Sequence, residues 1–479
     1  MKFKKLAIVL VIFLILLGAA VLIFRLFRSE KSKITGSTAS SDKAQKIDLF
    51  GTMLAYNVND GLMDLKISDK LESGWSVFKK NPQILEKYLN SLQKLYDDRD
   101  ELIKKTDFSS DREIAGLFTW GVIEPEKGKF DWTLTDLAAE HAKSAKIKLS
   151  AVIQPFAGWD QKNTQVDSAC QALDFAWYDY KSGPPNDWAE YKNFLEATVK
   201  RYKDAVSDWE IGNEYDGQCG GYQDNPEGYV KLLKISYDTI KEADPKAKVL
   251  NGGALEFLDN SIRNFWRKFF QLGGGNYLDA FNLHYNKERN GAKDGPAEFL
   301  EVLSFYNNLM KSQNLAKPLW LTEFGTYSGT PRQPPGQSSS ASAPKFSTQS
   351  QEFQAAWYFR YSILAFANNT EKIFIDLAGP DDQNIGASSI YNLQGESRLF
   401  IKTLQAIAVE IKDFSKVEKI AGGQYKFTVG IKNIYAFWSG DLPSEIKGTV
   451  KVTDLYGAKK SMDAQSIKFS SQEPILVEF

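Results

Sequence analysis

From about Ile47 onward the chain alternates short apolar runs with longer stretches in which apolar residues recur every three or four positions. The short runs predict strands at 51–57 (GTMLAYN), 113–120 (EIAGLFTW), 147–155, 206–214, 247–255, 278–286, 318–325 and 372–379. The longer stretches predict helices at 82–96, 188–202, 226–243, 297–311 and, after the last strand, 394–412. Eight strands alternating with helices demand parallel pairing, because each helix carries the chain back across the sheet. Eight such units close a (β/α)8 barrel, here over 47–412. A doubly wound open sheet is the weaker alternative, since no glycine-rich phosphate turn follows the first strand.

The period changes after residue 412. Alternation with a period of two takes over in QYKFTVGIKNIYAFW (424–438), TVKVTDLYG (449–457), SIKFS (466–470) and PILVEF (474–479). Turn residues separate these runs, so 413–479 predicts a small antiparallel β domain. At that size it needs the barrel to pack against.

The opposite end differs again. Leu6–Phe24 carries no charged residue, and a 19-residue helix spans roughly 30 Å of hydrocarbon. Lys2, Lys4 and Lys5 precede it; Arg25, Arg28, Lys31 and Lys33 follow. The run exceeds the apolar core of a cleaved signal peptide, so 1–28 predicts an uncleaved signal anchor. Ser29–Lys46 is polar and Ser-rich and predicts a flexible tether. The expected arrangement is a single-pass protein of the cell membrane with its folded part outside the cytoplasm.

The remaining composition narrows the chemistry. The chain has 479 residues, with 59 Lys+Arg against 60 Asp+Glu. Residues 1–33 hold seven of the cations and one of the anions, leaving 52 against 59 in the rest. A mildly acidic body argues against nucleic acid as a partner. Two Cys and two His exclude a disulfide scaffold, a Cys-rich zinc cluster and a His-rich metal site, and nothing implies a cofactor.

In such a barrel the C-terminal ends of the strands make the site. Those ends read Trp120, Gln154, Asn213, Glu214, His284, Tyr285, Glu323 and Asp376. Glu214 and Glu323 end the fourth and seventh strands, on facing walls of one cleft. Paired carboxylates across a cleft suit glycoside hydrolysis: one donates a proton to the leaving oxygen, the other attacks the sugar or activates water. Sugars stack their C–H faces on rings, and Trp120, Trp159, Trp177, Tyr178, Trp188, Tyr215, Tyr222 and Tyr327 lie at strand ends or in the loops after them.

WEIGNE (209–214) resembles the fourth-strand motif of clan A glycoside hydrolases, and LTEFG (321–325) resembles their seventh-strand motif. WGVIEPEKGKFDW (120–132) resembles the segment after the second strand, and YLDAFNLHYN (277–286) the sixth strand. VTDLYG (452–457) and PILVEF (474–479) resemble the small β domain that follows the barrel in family 39 and its neighbours. The resemblance spans roughly 50–479. It implies Glu323 as nucleophile, Glu214 as acid/base, Asn213 as a partner of the substrate 2-hydroxyl, and His284 as the His of a His-x-Tyr motif. It also implies a retaining mechanism on a β-linked polysaccharide or glycoconjugate. Trp120, Gln154, Trp159 and Tyr285 complete the expected sugar-binding set.

Three departures stand out. The Arg that often precedes the second-strand Trp is not found at 115–119. The Tyr of His-x-Tyr would be at position 286, which is Asn. LAGPDD (377–382) has no Trp. The first two motivate the alternative of a catalytically inactive carbohydrate-binding barrel. Glu210 is expected in an internal network, Glu124 and Glu126 as loop-bracing or surface charges, and His141 as a surface or packing residue of a helix. Cys170 and Cys219 lie in neighbouring loops, so an oxidising exterior favours a disulfide between them. The Pro/Ser/Gly-rich segment 329–350 is a disordered insert or a flap over the cleft.

Overall fold

The computed structural model describes residues 48–53, 82–113, 116–161, 183–217, 220–256, 258–286, 295–329, 349–375 and 396–479. The predicted anchor, the tether, Cys170, Cys219, Trp177, Tyr178 and Asp376 lie outside them, as does most of 329–350. Among the described residues no helix is long and apolar enough to cross a membrane.

Eight parallel strands form one sheet: β1 (Phe50–Thr52), β2 (Ser110–Glu113), β3 (Lys148–Ile153), β4 (Val206–Ile211), β5 (Lys248–Asn251), β6 (Phe281–Asn286), β7 (Leu319–Gly325) and β8 (Thr370–Ile375). Their order is β5-β4-β3-β2-β1-β8-β7-β6. Helices alternate with them: α1 (Pro82–Thr106), α3 (Thr133–Ala145), α5 (Trp188–Tyr202), α6 (Pro226–Ala243), α7 (Asn260–Gln271), α8 (Ala297–Ser312), α9 (Gln351–Ala367) and α10 (Leu399–Ile411). Two single turns, α2 (Trp120–Ile123) and α4 (Gly158–Gln161), sit in the loops after β2 and β3.

The ring closes at β5 and β6. The backbone contributes the bridges Leu250 to Ala280 and Ala254 to Leu283 there, and side chains add to them. Asn251 Nδ2 donates to the Asn282 carbonyl at 2.7 Å, and the Asn282 amide N–H donates to Asn251 Oδ1 at 2.7 Å. The Asn251 carboxamide thus stands in for two ladder bonds, which these buried backbone groups would otherwise lack. The helices follow their sequence signals. α5 starts at Asp187, which accepts from the amides of Ala189 and Glu190, and buries Tyr191, Phe194, Leu195, Val199 and Tyr202 on one stripe. Each such apolar side chain contributes about 1.5–3 kcal/mol on burial. α6 combines an Asn225 cap with Pro226 in its first turn.

The C-terminal sheet has six antiparallel strands: β9 (Phe414–Ala421), β10 (Gln424–Val429), β11 (Lys432–Phe437), β12 (Thr449–Thr453), β13 (Lys459–Asp463) and β14 (Ile475–Glu478). Their order is β13-β12-β14-β11-β10-β9. Alternation along β11 assigns its two faces. Ile434 and Ala436 join the barrel core, while Tyr435 and Phe437 join a second core with Val450, Val452, Ile475 and Val477. Phe366 of α9 packs on Phe414 at 6.0 Å, fastening the sheet to the barrel. The predicted strand at 466–470 is not formed; β13 takes its place in the sheet.

One barrel strand is displaced from its predicted position. β2 is Ser110–Glu113 (SDRE), not 113–120, and all four of its residues are buried. The apolar run Leu117–Ile123 instead forms the loop and α2. Hydrophobicity misplaced the strand because its buried side chains are charged.

Candidate active site

The polarity of β2 has a purpose at the top of the barrel. Arg112 is fully buried. Its Nε donates to Glu210 Oε2 at 2.8 Å and its Nη2 to Glu210 Oε1 at 2.7 Å, a two-pronged pair. Nη1 donates to Glu323 Oε1 at 2.8 Å, and Nη2 also donates to Asn213 Oδ1 at 2.8 Å. Burial alone would lower the Arg112 pKa, but Glu210 and Glu323 raise it above its ordinary value. The arginine missing at 115–119 is therefore present at position 112, aimed at Glu323. Glu210 is the internal network residue expected of it.

Glu323 owes its aim to an irregular strand. In a regular strand neighbours face opposite ways. The ladders on both sides of β7 shift register near this point, between Leu283 and His284 and between Leu321 and Phe324. Such a bulge re-aims side chains. Thr322 and Glu323 consequently both approach His284: Thr322 Oγ1 lies 3.2 Å from Nε2, and Glu323 Oε2 lies 3.5 Å from Nδ1.

Glu214 lies three residues beyond β4, on a turn. Gly212 has φ +86°, and a Cβ there would fall 2.1 Å from the Tyr215 ring, so glycine is required. Glu214 itself is left-handed at φ +51°, an uncommon state for a residue with a Cβ. Its Oε1 lies 2.9 Å from His284 Nδ1. His284 is buried, with Gly253 beneath it; a Cβ at 253 would be 2.0 Å from Nε2. Burial disfavours the imidazolium, yet the fields of Glu323 and Glu214 outweigh it and raise the His284 pKa above its ordinary value.

The two carboxylates differ in surroundings. The Glu323 side chain is 15% exposed and bonded to a cation; that of Glu214 is 36% exposed and bonded to His284. Glu214, His284 and Glu323 each offer a donor atom, all within 4.8 Å of one another. With Arg112 and His284 turned onto the carboxylates, these atoms already satisfy one another as an ion-pair network. The arrangement sets a carboxylate held by a cation beside a second carboxyl that is open at the cleft mouth.

Structure thus brings together Glu214, Glu323, Asn213 and His284. Other expected sugar contacts lie elsewhere. Trp120 is completely buried in α2, with Nε1 donating to Glu124 Oε2 at 2.7 Å; the shift of β2 removes it from the strand end. Tyr285 faces away from the barrel interior, 4.5 Å from Phe299 ring to ring, because it alternates with His284 along β6. Gln154 is nearly buried and accepts from Tyr215 Oη at 2.8 Å. Trp159 stays half-buried, edge-on to Trp120 at 5.0 Å, with Nε1 donating to the Glu124 carbonyl at 2.8 Å. Tyr215, Tyr222 and Tyr327 are core residues; Trp188 is half-buried. Glu124 is not a surface charge: it is buried and braces the loop by accepting from Gly128 N at 2.6 Å. His141 packs on α1 with Nδ1 3.0 Å from Asp100 Oδ2. Sequence reading missed Arg112 and Thr322. A charged pair, Arg112 and Glu210, each on a short strand-like stretch, was the available signal for the first.

No family model matches the chain. It is 25% identical over 150 residues to a β-galactosidase, LacZ, of Lactobacillus acidophilus, across 29% of this chain and 22% of that protein's length. Among solved structures it resembles a family 39 glycoside hydrolase of Bacteroides cellulosilyticus WH2, at a TM-score of 0.53 and 16% identity over 80% of this chain and 78% of that one. It also resembles a monomeric β-xylosidase of Caulobacter crescentus CB15, at 0.55 and 13% over 80% and 92%. A family 39 enzyme of Xanthomonas axonopodis pv. citri gives 0.53 and 12% over 80% and 90%. The chain shares with these structures its fold, which is a parallel eight-stranded barrel and an antiparallel sheet, and the clan A resemblance of WEIGNE and LTEFG agrees with these neighbours.

Proposed function

We propose that the chain is a retaining glycoside hydrolase that cleaves β-linked glycosides by double displacement. The observation that carries this reading is the facing pair itself, with Arg112 on Glu323 and His284 on Glu214. Glu323 attacks the anomeric carbon, its carboxylate oriented and countered by Arg112. Glu214, more open to solvent, protonates the leaving oxygen and then deprotonates water. Carboxyl oxygens of Glu214 and Glu323 come within 4.8 Å of each other, and such close approach supports a retaining pair. Asn213 is held by Arg112 beside both, in reach of a sugar hydroxyl.

The inactive-barrel alternative loses half its motive, since the Arg is present at 112 and bonded to Glu323. The similarity to a β-xylosidase and a β-galactosidase selects the substrates to try. Nitrophenyl β-xylosides, β-galactosides and β-glucosides are offered to residues 47–479. At least one is turned over by the native sequence, and that turnover disappears in Glu323→Ala. Binding of oligosaccharide without turnover of any aryl glycoside would establish the binder instead.

The apolar run 6–24 with its flanking cations supports anchoring in the cell membrane, with the barrel outside the cytoplasm. Cys170 and Cys219 would there form their disulfide. The full chain is expected in the membrane fraction after high-salt and carbonate washes; a soluble form beginning near Val21 would overturn the anchor.

A further inference from the structure

Asp216 lies two residues beyond Glu214 and is completely buried, yet it takes no part in the chemistry above. Its Oδ2 accepts two hydrogen bonds from separate elements. The backbone N–H of Leu255, in the loop after β5, donates at 3.0 Å; Trp266 Nε1, on α7, donates at 2.7 Å. Its Oδ1 has no partner among the described residues. Burial pushes its pKa up to about 6, and the field of Glu214 adds to this.

These bonds bear on how Glu214 is aimed. The Glu214 carboxyl bonds His284 and is otherwise open to the cleft, so its direction depends on its backbone. That backbone is left-handed, a state that persists only when the surroundings impose it. The surroundings are three ties in successive residues. Glu214 N–H donates to the Gly252 carbonyl, Tyr215 Oη donates to Gln154 Oε1, and Asp216 receives Leu255 and Trp266. Asp216 supplies the tie that joins the turn to both the β5 loop and α7.

We propose that Asp216 is a positioning residue for Glu214, fixing the turn at 214–217 so that the acid/base carboxyl reaches the leaving oxygen. The proposal rests on the reading of Glu214 as acid/base. It acts through Glu214 and touches no substrate.

The test compares phenyl and 2,4-dinitrophenyl glycosides of whichever sugar the native enzyme cleaves. A dinitrophenolate departs without a proton; a phenolate needs one. In Asp216→Ala, kcat/KM, which reports the glycosylation step, is expected to fall on the order of tenfold to a hundredfold further on the phenyl glycoside than on the dinitrophenyl glycoside. Asp216→Asn keeps an acceptor oxygen in place and is expected to restore the native ratio. A purely structural role would lower both substrates by one factor, and an unchanged ratio in a folded Asp216→Ala would overturn the proposal. An Asn variant with the ratio of the Ala variant would assign the effect to charge and overturn it equally. If Asp216→Ala does not fold, Trp266→Phe decides: it removes one donor and keeps a ring, and the ratio moves the same way by a smaller factor or the proposal fails. Glu214→Ala is run alongside. If it shows no dependence on the leaving group, the assignment of Glu214 fails; if it does and Asp216→Ala does not, only the positioning role fails.

Discussion

Azide restores turnover of a dinitrophenyl glycoside to Glu214→Ala and yields a glycosyl azide of retained configuration. This outcome follows from what each carboxylate must do in the second half of the reaction. Without Glu214 an activated substrate still glycosylates Glu323, because its leaving group needs no proton. Hydrolysis then stalls, since nothing activates water. Azide needs no base and attacks the glycosyl-enzyme from the face that water would use. The loss in Glu214→Ala before azide is on the order of 10²–10⁴ in kcat for substrates that need protonation. Glu323→Ala removes the nucleophile and costs more, on the order of 10⁴–10⁶. Any azide product there has inverted configuration, because azide occupies the position of the missing carboxylate. Product configuration is read by proton NMR of the anomeric centre. Opposite stereochemistry in the two variants would exchange the roles of Glu214 and Glu323. An inverted product from the native enzyme would exclude double displacement altogether.

The environments of the two residues agree with this division. Arg112 counters the charge of Glu323 in a nearly closed position, as a nucleophile requires. Glu214 stands further out, where a leaving group and then water can pass. His284 lies between them, 2.9 Å from one and 3.5 Å from the other. It therefore links the two carboxyl groups across the cleft.

Much of the barrel was legible because most of its strands are short runs rich in apolar residues and several helices carry one apolar stripe. β4, β6 and β7 fall within their predicted ranges, so Glu214, His284 and Glu323 could be placed before any coordinates. β2 was not legible. Its residues are SDRE, and a buried strand made of charges has no hydrophobic signature to find. That single displacement accounts for two errors: Arg112 went unseen, and Trp120 was drawn to a strand end although it is a core residue. Tyr285 was misread for a smaller reason. A motif places residues in order along a strand, but only the alternation decides which face each one takes, and His284 occupies the inner face. Asp216 could not have been found by pattern, because its partners, Leu255 and Trp266, are 39 and 50 residues away.

Arg112→Met destabilises the protein and silences it, and a second substitution separates the two effects. Arg112 and Glu210 are both fully buried and bonded twice to each other. Removing the cation strands Glu210, and partly Glu323, without compensation; breaking such a pair costs about 3–5 kcal/mol. Substituting Glu210 as well removes the stranded charge, and neutral residues of similar volume are often tolerated where an ion pair stood. Arg112→Met/Glu210→Gln is therefore expected to recover most of the lost stability in thermal unfolding. It is not expected to recover activity. Glu323 and Asn213 each still lack the N–H that oriented them, and loss of one such oriented donor costs on the order of 10²–10³ in kcat. Arg112→Lys tests the geometry from the other side. An ammonium keeps the charge but cannot span Glu210, Glu323 and Asn213 with one planar fork, so stability returns further than turnover does. Should the double variant regain native kcat, Arg112 would be no more than a counter-charge for Glu210, and the aim of Glu323 would have to come from its bulged strand alone.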